Sequence, residues 1–127
     1  MRFVLIAALA LSALSVTGCT RWSMNHHLDN AYKAYDRGNC EQVILELSKV
    51  ERESRARPYV WPEVSMMRGL CLERQKMFID AAQTYQFILA SYPQSEYAYR
   101  ARARIETLQS LGHYPTRRAA AAKPTQF

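Results

Sequence analysis

Glycine and proline are scarce in this chain, which has 4 glycines and 5 prolines among 127 residues. Alanine, leucine, arginine and glutamate are plentiful by comparison. That balance favours helices over an all-β fold. We therefore expect an all-α protein.

The sequence also lacks the motifs that mark common catalytic sites. It has no Gly-rich phosphate loop, no nucleophile elbow and no Cys-x-x-Cys pair for redox chemistry. His26 and His27 are adjacent, and neighbouring residues do not share a helix face, so they are poor metal ligands and are expected in a solvated segment. We predict no enzyme activity, no cofactor, no metal site and no small-molecule substrate.

The one long apolar run lies at the N-terminus. Arg2 supplies a short positive segment, and residues 3–16 are almost wholly apolar and uncharged. This run is too short for an ordinary membrane-spanning helix, which needs ~20 residues, but it suits a secretory signal. The motif V-T-G-C follows at residues 16–19. It resembles the bacterial lipobox, in which a small residue precedes the cysteine that receives a diacylglycerol.

The lipobox resemblance implies that residues 1–18 are a lipoprotein signal peptide and that Cys19 is lipidated. Several acyl chains, palmitate among them, would anchor the mature chain stably. Thr20, rather than Asp, follows the cysteine, which in many such bacteria implies an outer-membrane lipoprotein facing the periplasm. Nucleic acid is not expected as a partner of an exported protein. The alternative is an ordinary secretory signal with a chance cysteine.

Cleavage after residue 18 would leave 109 residues, enough for one domain. Its formal charge would be +5, because only Arg2 is lost from the +6 of the full chain. Residues 19–27 are expected to be a short tether. Residues 113–127, with two prolines, an alanine run and clustered arginines, are expected to be a disordered tail.

Apolar residues recur at helical spacing in five segments between residues 28 and 112. The second segment is amphipathic, with its charged residues expected on the solvent side: Glu41, Glu46, Lys49 and Glu53. The segments are separated or ended by Gly38 and Asn39, by a loop holding Pro58 and Pro62, by Lys76, by Pro93 and by Gly112. We therefore expect five helices with tight turns.

Six residues have a spacing that suggests a repeat: Gly69, Phe78, Ala81, Tyr85, Ile88 and Pro93. They resemble the tetratricopeptide repeat, in which small residues let paired helices approach closely and large residues fill the gap beside them. The first helix pair fits less well, because its turn lies 38 residues before the turn at Lys76 and a standard repeat has about 34. The segment at residues 92–99 resembles a junction in envelope repeat lipoproteins related to the lipoprotein of the β-barrel assembly machine.

The repeat resemblance covers residues 28–110 and implies a short tetratricopeptide-like solenoid in residues 28–112. It would have about two helix pairs and a capping helix, which covers an otherwise exposed apolar face. The alternative is a generic helical bundle with coincidental spacing.

Lipidation of Cys19 would leave Cys40 and Cys71 as an even pair in an oxidising compartment. In a tetratricopeptide stack, the start of the second helix lies beside the end of the third, so a disulfide between them is plausible. It would stabilise the fold by ~3–4 kcal/mol in the chain-entropy model. The alternative is two buried free thiols.

If the repeat frame holds, the first helix of each pair lines a concave surface. The residues then implied in partner binding are Tyr32, Tyr35, Met66, Leu70, Glu73, Arg100 and Arg104. An aromatic and methionine floor beside two arginines suits an extended or helical peptide with an acidic group. Alternatively, these side chains are packing residues of a solenoid too short for a groove.

The function expected from these features is a membrane-anchored, protein-binding scaffold or adaptor of a bacterial cell-envelope complex. The alternative is a pilotin-like chaperone for a secretin or other outer-membrane subunit of a secretion or pilus system. Loss of a pilotin mislocalises a multimeric pore, whereas loss of an adaptor leaves the pore in place but unlinked.

Overall fold

The computed structural model describes residues 2–116, with the side chains of residues 19–116, and this part of the chain is helical without strands. A single 3-10 turn, Pro58–Val60, precedes α3. In the described residues no helix combines the length and apolar character needed to cross a bilayer. The α-helices are α1 (Arg2–Asp36), α2 (Cys40–Glu53), α3 (Trp61–Arg74), α4 (Phe78–Ser91) and α5 (Glu96–Ser110). Adjacent helices pack in pairs, so the all-α, repeat-like architecture is confirmed.

Three helix ends share one backbone motif. The amides of Gly38 and Asn39 each donate a 2.9 Å hydrogen bond to carbonyls in the last turn of α1, and Gly38 has a φ of +75°. The same pair of bonds closes α5 at Gly112 and α3 at Lys76. This motif needs a left-handed residue just past the helix, usually glycine. Lys76 adopts it with a φ of 62°, and the predicted turns at all three places are confirmed.

Side chains also cap the helix starts. The Asn39 side chain accepts a 3.0 Å hydrogen bond from the amide of Gln42 at the start of α2. Ser95 accepts one from the amide of Tyr97 at the start of α5, as its sequence position predicts. Pro62 lies in the first turn of α3, where its missing amide hydrogen costs nothing.

Two compact units divide the chain, and the first is Met1–Pro58, here called the N-terminal unit. In it α1 packs against α2 over a small core of buried residues: Met24, Ala31, Ala34, Cys40, Val43, Leu47 and Val50. The tether predicted at residues 19–27 is wrong, because these residues belong to α1 and Met24 is buried. Met24, His27 and Ala31 continue the helical spacing of the core face, which holds this segment in the helix.

The second unit is Tyr59–Phe127, here called the C-terminal unit. Helices α3, α4 and α5 enclose one core, and α5 packs on both of the others. The fully or nearly buried members of this core are Met66, Ala81, Ala82, Tyr85, Ile88, Ala98, Ala101, Ile105 and Leu108.

The structure corrects the start of the predicted tail. The ring of His113 stacks on Phe78 with centroids 3.9 Å apart, and the hydroxyl of Tyr114 accepts a 2.8 Å hydrogen bond from Gln86. These contacts fix residues 113 and 114 on α4. The rest of the predicted tail, residues 117–127, lies outside the described residues.

Candidate binding surfaces and buried ion pairs

Helices α3 and α4 approach closely at Gly69. A Cβ added there would lie 2.9 Å from Cδ1 of Tyr85 and even closer to the next ring carbon, so only glycine fits without a shift. The Tyr85 ring is fully buried beside Ala81 and Ile88, which are also fully buried. Small and large residues therefore meet in the arrangement that the repeat spacing predicts.

Tyr85 also takes part in an ion-pair cluster. Its hydroxyl donates a 2.7 Å hydrogen bond to Oε1 of Glu73. Arg104 from α5 donates through Nε to the same oxygen at 2.9 Å, and through Nη2 to Oε2. The two parallel bonds form the bidentate arrangement that makes arginine–carboxylate pairs strong. The cluster joins all three helices of the C-terminal unit.

The charges in this cluster shift one another's ionisation. Burial, the largest influence, acts to raise the pKa of Glu73, but the bonds from Arg104 and Tyr85 together outweigh it, and the pKa lies below its ordinary value. Burial and the bond to Glu73 raise the pKa of Tyr85. The bond to Glu73 raises the pKa of Arg104. Glu73 is therefore a fixed anion, neutralised by a fixed cation.

This geometry changes the predicted partner-binding surface in the C-terminal unit. The prediction that Met66 lies on this surface is wrong, because its side chain is buried in the three-helix core. Leu70 packs against the same core and is half-buried. Glu73 and Arg104 bind each other, so Arg104 does not offer its charge to an acidic ligand. Arg100 is exposed and lies 5.4 Å above the ring of Tyr97.

The two predicted partner-binding tyrosines of the N-terminal unit differ in exposure. Tyr32 on α1 is exposed, while Tyr35, almost one turn later, is half-buried. Tyr32 therefore stays a candidate contact residue, and Tyr35 is placed mainly to pack.

A second ion-pair cluster lies between α1 and α2, and the sequence did not predict it. Glu46, expected on the solvent side, is only 4% exposed. Its carboxylate accepts hydrogen bonds from His27 (2.6 Å to Nδ1), Gln42 (2.9 Å) and Lys49 (2.9 Å). Burial, the largest influence, acts to raise the pKa of Glu46, but the bonds from Lys49 and His27 outweigh it and lower the pKa. His27, expected in a solvated segment, instead joins α1 to α2.

The same cluster extends to the C-terminal end of α2. Nε2 of His27 lies 3.9 Å from Oε1 of Glu53, which also accepts a 3.0 Å hydrogen bond from the Ser23 hydroxyl. The other carboxylate oxygen of Glu53 is buried and has no hydrogen-bond partner in the described residues. The usable sequence signal was the spacing that puts Ser23 and His27 beside Met24 on the core face of α1.

The described residues hold no group of three or more His, Cys, Asp or Glu side chains placed to bind a metal ion. Cys19 is exposed and free. Cys40 and Cys71, the cysteines of the predicted disulfide, are both buried in their own units.

The C-terminal unit carries an aromatic patch that sequence reasoning missed, consisting of the exposed Tyr59 and Phe87 and the half-buried Tyr92. Tyr59 and Tyr92 line an open cavity of about 440 Å³ together with Pro62 and Pro93. Phe87 meets Tyr92 edge-on, with ring centroids 5.9 Å apart, and it is exposed. Exposed aromatics beside a concave surface are typical of protein interaction sites. The Tyr92-Pro93 helix break was the only signal in the sequence for this patch.

No protein-family model matches the chain, and neither curated proteins nor solved structures give a match. The likeness to the tetratricopeptide repeat therefore depends on residue spacing and helix packing alone.

Proposed function

We propose that this protein is a lipid-anchored scaffold or adaptor of a bacterial cell-envelope complex, which binds a partner protein through its paired helices. The observation that carries the proposal is the close packing of α3 on α4 at Gly69 and Tyr85. Such small-to-large packing supports a repeat-type helix pair, and stacked helix pairs serve mainly as binding surfaces.

The anchoring part of the proposal is supported by the N-terminal sequence and by the state of Cys19. The chain has a positive residue, an apolar run and a V-T-G-C motif in the order of a lipoprotein signal. The Cys19 thiol is exposed and free, as acylation requires. Thr20 supports an outer-membrane location facing the periplasm.

The partner-binding part is best supported by the aromatic patch, with Tyr32 as a second candidate contact. Aromatic side chains supply most of the binding energy at many protein interfaces. Tyr59 and Phe87 are exposed without being held in the three-helix core, so a partner could cover them.

Anchoring is tested by expressing the full chain in a bacterium that exports lipoproteins and measuring the mass of the product. We expect cleavage before Cys19, a mass increase equal to the added acyl chains, and recovery with the membranes. A Cys19→Ser variant should lose both the added mass and the membrane association. An unmodified Cys19 in the wild-type product would contradict the anchor.

Partner binding is tested by placing a photo-crosslinking amino acid at Phe87 in cells that contain the native envelope. We expect one crosslinked protein band that disappears in a Tyr59→Ala variant. The matched control is the same amino acid at Tyr99 on α5, which is 77% exposed and lies outside the patch. Equal crosslinking at both positions, or none at Phe87, would contradict the patch as the binding site.

A further inference from the structure

The first two turns of the predicted mature chain have one side fixed to the N-terminal unit. Met24 is 2% exposed in the core. Ser23 donates its hydrogen bond to Glu53, and His27 binds Glu46. A helix held at three successive core positions cannot act as a loose tether. The residue predicted to carry the lipid therefore starts a rigid segment.

The other side of these turns carries an exposed aromatic pair. Trp22 is 73% exposed, and its ring stacks on His26 with centroids 5.7 Å apart and an angle of 10° between the planes. Asn30 in turn donates a 3.2 Å hydrogen bond to Nε2 of His26. The indole is thus held outward in one orientation instead of folding back on the core.

Cys19 lies on this same side of α1. Cys19, Trp22 and His26 are spaced by three and then four residues, and all three are exposed. Trp22 is only about 4.5 Å along the helix axis from Cys19, at 1.5 Å per residue. The headgroup layer on each side of a bilayer is about 5–8 Å thick, so an acyl anchor at Cys19 brings the indole into it.

We propose that the Cys19–Trp22–His26 side of α1 docks on the bilayer surface, with the Trp22 indole among the lipid headgroups beside the anchor. Tryptophan is enriched at this depth because its ring is apolar and its N–H is polar. The exposed Asp29, two turns after Trp22 on the same side, is acidic and ends the contact, because anionic headgroups repel a carboxylate. This inference rests on the proposed lipid anchor.

Docking through both a lipid and an indole has a consequence for orientation. A lipid anchor alone would let the unit swivel about one point. A second contact, on a helix that is itself fixed to α2, sets which side of the N-terminal unit faces the membrane.

The test uses the lipoprotein purified from membranes and reconstituted into vesicles of phosphatidylethanolamine and phosphatidylglycerol. The chain has 2 tryptophans, so a Trp61→Phe background makes Trp22 the sole reporter. We expect its fluorescence to be quenched by brominated lipids, and quenching by aqueous acrylamide to be several-fold weaker than for an exposed indole.

The matched control carries Trp22→Phe, Trp61→Phe and Tyr99→Trp, which moves the reporter to an exposed position on α5. We expect acrylamide, and not brominated lipid, to quench it. The proposal would be overturned if brominated lipid quenched both reporters equally, or if acrylamide had full access to Trp22. It would also be overturned if the protection of Trp22 from acrylamide disappeared when the protein was reconstituted at a lower protein-to-lipid ratio. The mass of the N-terminus, measured first, tells separately whether the anchor exists.

Discussion

The N-terminal and C-terminal units both bury a carboxylate between helices, but they hold it differently. In the C-terminal unit, Glu73 receives two bonds from Arg104 and one from Tyr85, beside a nine-residue core shared by three helices. In the N-terminal unit, Glu46 receives bonds from a histidine, an amide and a lysine between only two helices. One arrangement is a rigid bidentate pair, and the other is a network of single bonds.

The difference follows from how much apolar surface each unit can bury. Three helices enclose Tyr85, Ile88 and Leu108, so burial itself stabilises the C-terminal unit. Two helices with alanines and valines along their contact bury less apolar surface. Where that apolar core ends, polar contacts of Ser23, His27 and Glu46 continue the interface between α1 and α2. We therefore expect the C-terminal unit to lose more stability than the N-terminal unit, both when a core side chain is truncated and when the carboxylate between its helices is neutralised.

The largest expected effect is that of Tyr85→Ala. Loss of the ring and the cavity left behind should lower the free energy of unfolding by about 4 kcal/mol. Hydrogen exchange should show the loss of protection in α3, α4 and α5. Leu47→Ala, the matched change in the N-terminal unit, should cost about 3 kcal/mol and expose α1 and α2 instead. If each variant lowers protection equally in both units, the expectation that the two units respond separately is wrong.

Neutralising the two buried carboxylates should have the next largest effect. Glu73→Gln leaves Arg104 without its counter-ion, and we expect a loss of about 2 kcal/mol in urea unfolding. Glu46→Gln should cost about 1 kcal/mol, because it weakens single hydrogen bonds from His27 and Lys49 and not a bidentate arginine pair. Glu41→Gln, on the exposed side of α2, serves as the control and should change little. A larger loss for Glu46→Gln than for Glu73→Gln would reverse the comparison.

Gly69→Ala tests the close helix approach in the C-terminal unit. Alanine favours the helix by about 0.5–1 kcal/mol, but overpacking against Tyr85 should cost about 1–3 kcal/mol, so we expect a net loss near 1 kcal/mol. In a Tyr85→Leu background the ring is gone, and the same change should become stabilising. Thermal unfolding of the four variants measures this coupling. Additive effects would show that Gly69 is not there for the tyrosine.

The smallest expected effect comes from the helix ends. Lys76→Gly should stabilise α3 by about 0.5–1 kcal/mol, because glycine adopts a positive φ without the Cβ clash. Gly38→Ala, at the matching position after α1, should destabilise by about 1 kcal/mol for the same reason. Chemical denaturation of both variants gives the two values. A destabilising Lys76→Gly would mean that the lysine side chain makes up for its backbone strain.

Much of the fold could be predicted from local sequence, and much of the candidate surface could not. The helix ends at Gly38 and Gly112 and the cap at Ser95 follow from the conformations these residues prefer. The groove was predicted on one helix face, yet Met66 is buried because α3 packs on both α4 and α5. The aromatic patch has only a proline break as its signal, since exposure depends on which neighbours leave a side chain uncovered.

Residues 19–27 show the limit most clearly. Their polar composition and position after a predicted cleavage site indicated a tether, but Met24, Ser23 and His27 fall on the core face of α1. Composition averages over both sides of a helix, whereas burial depends on one side only.

The sequence by itself determined where the helices end and where α2 to α5 begin, because caps, turns and helix spacing act over a few neighbouring residues. Only the tertiary structure decided which charged groups lie between helices and bind each other there. His27 and Glu46 are 19 residues apart, and Glu73 and Arg104 are 31 apart. Any local sequence pattern predicts that a polar residue faces solvent. Its burial becomes favourable only when a residue of another helix, distant in sequence, binds it.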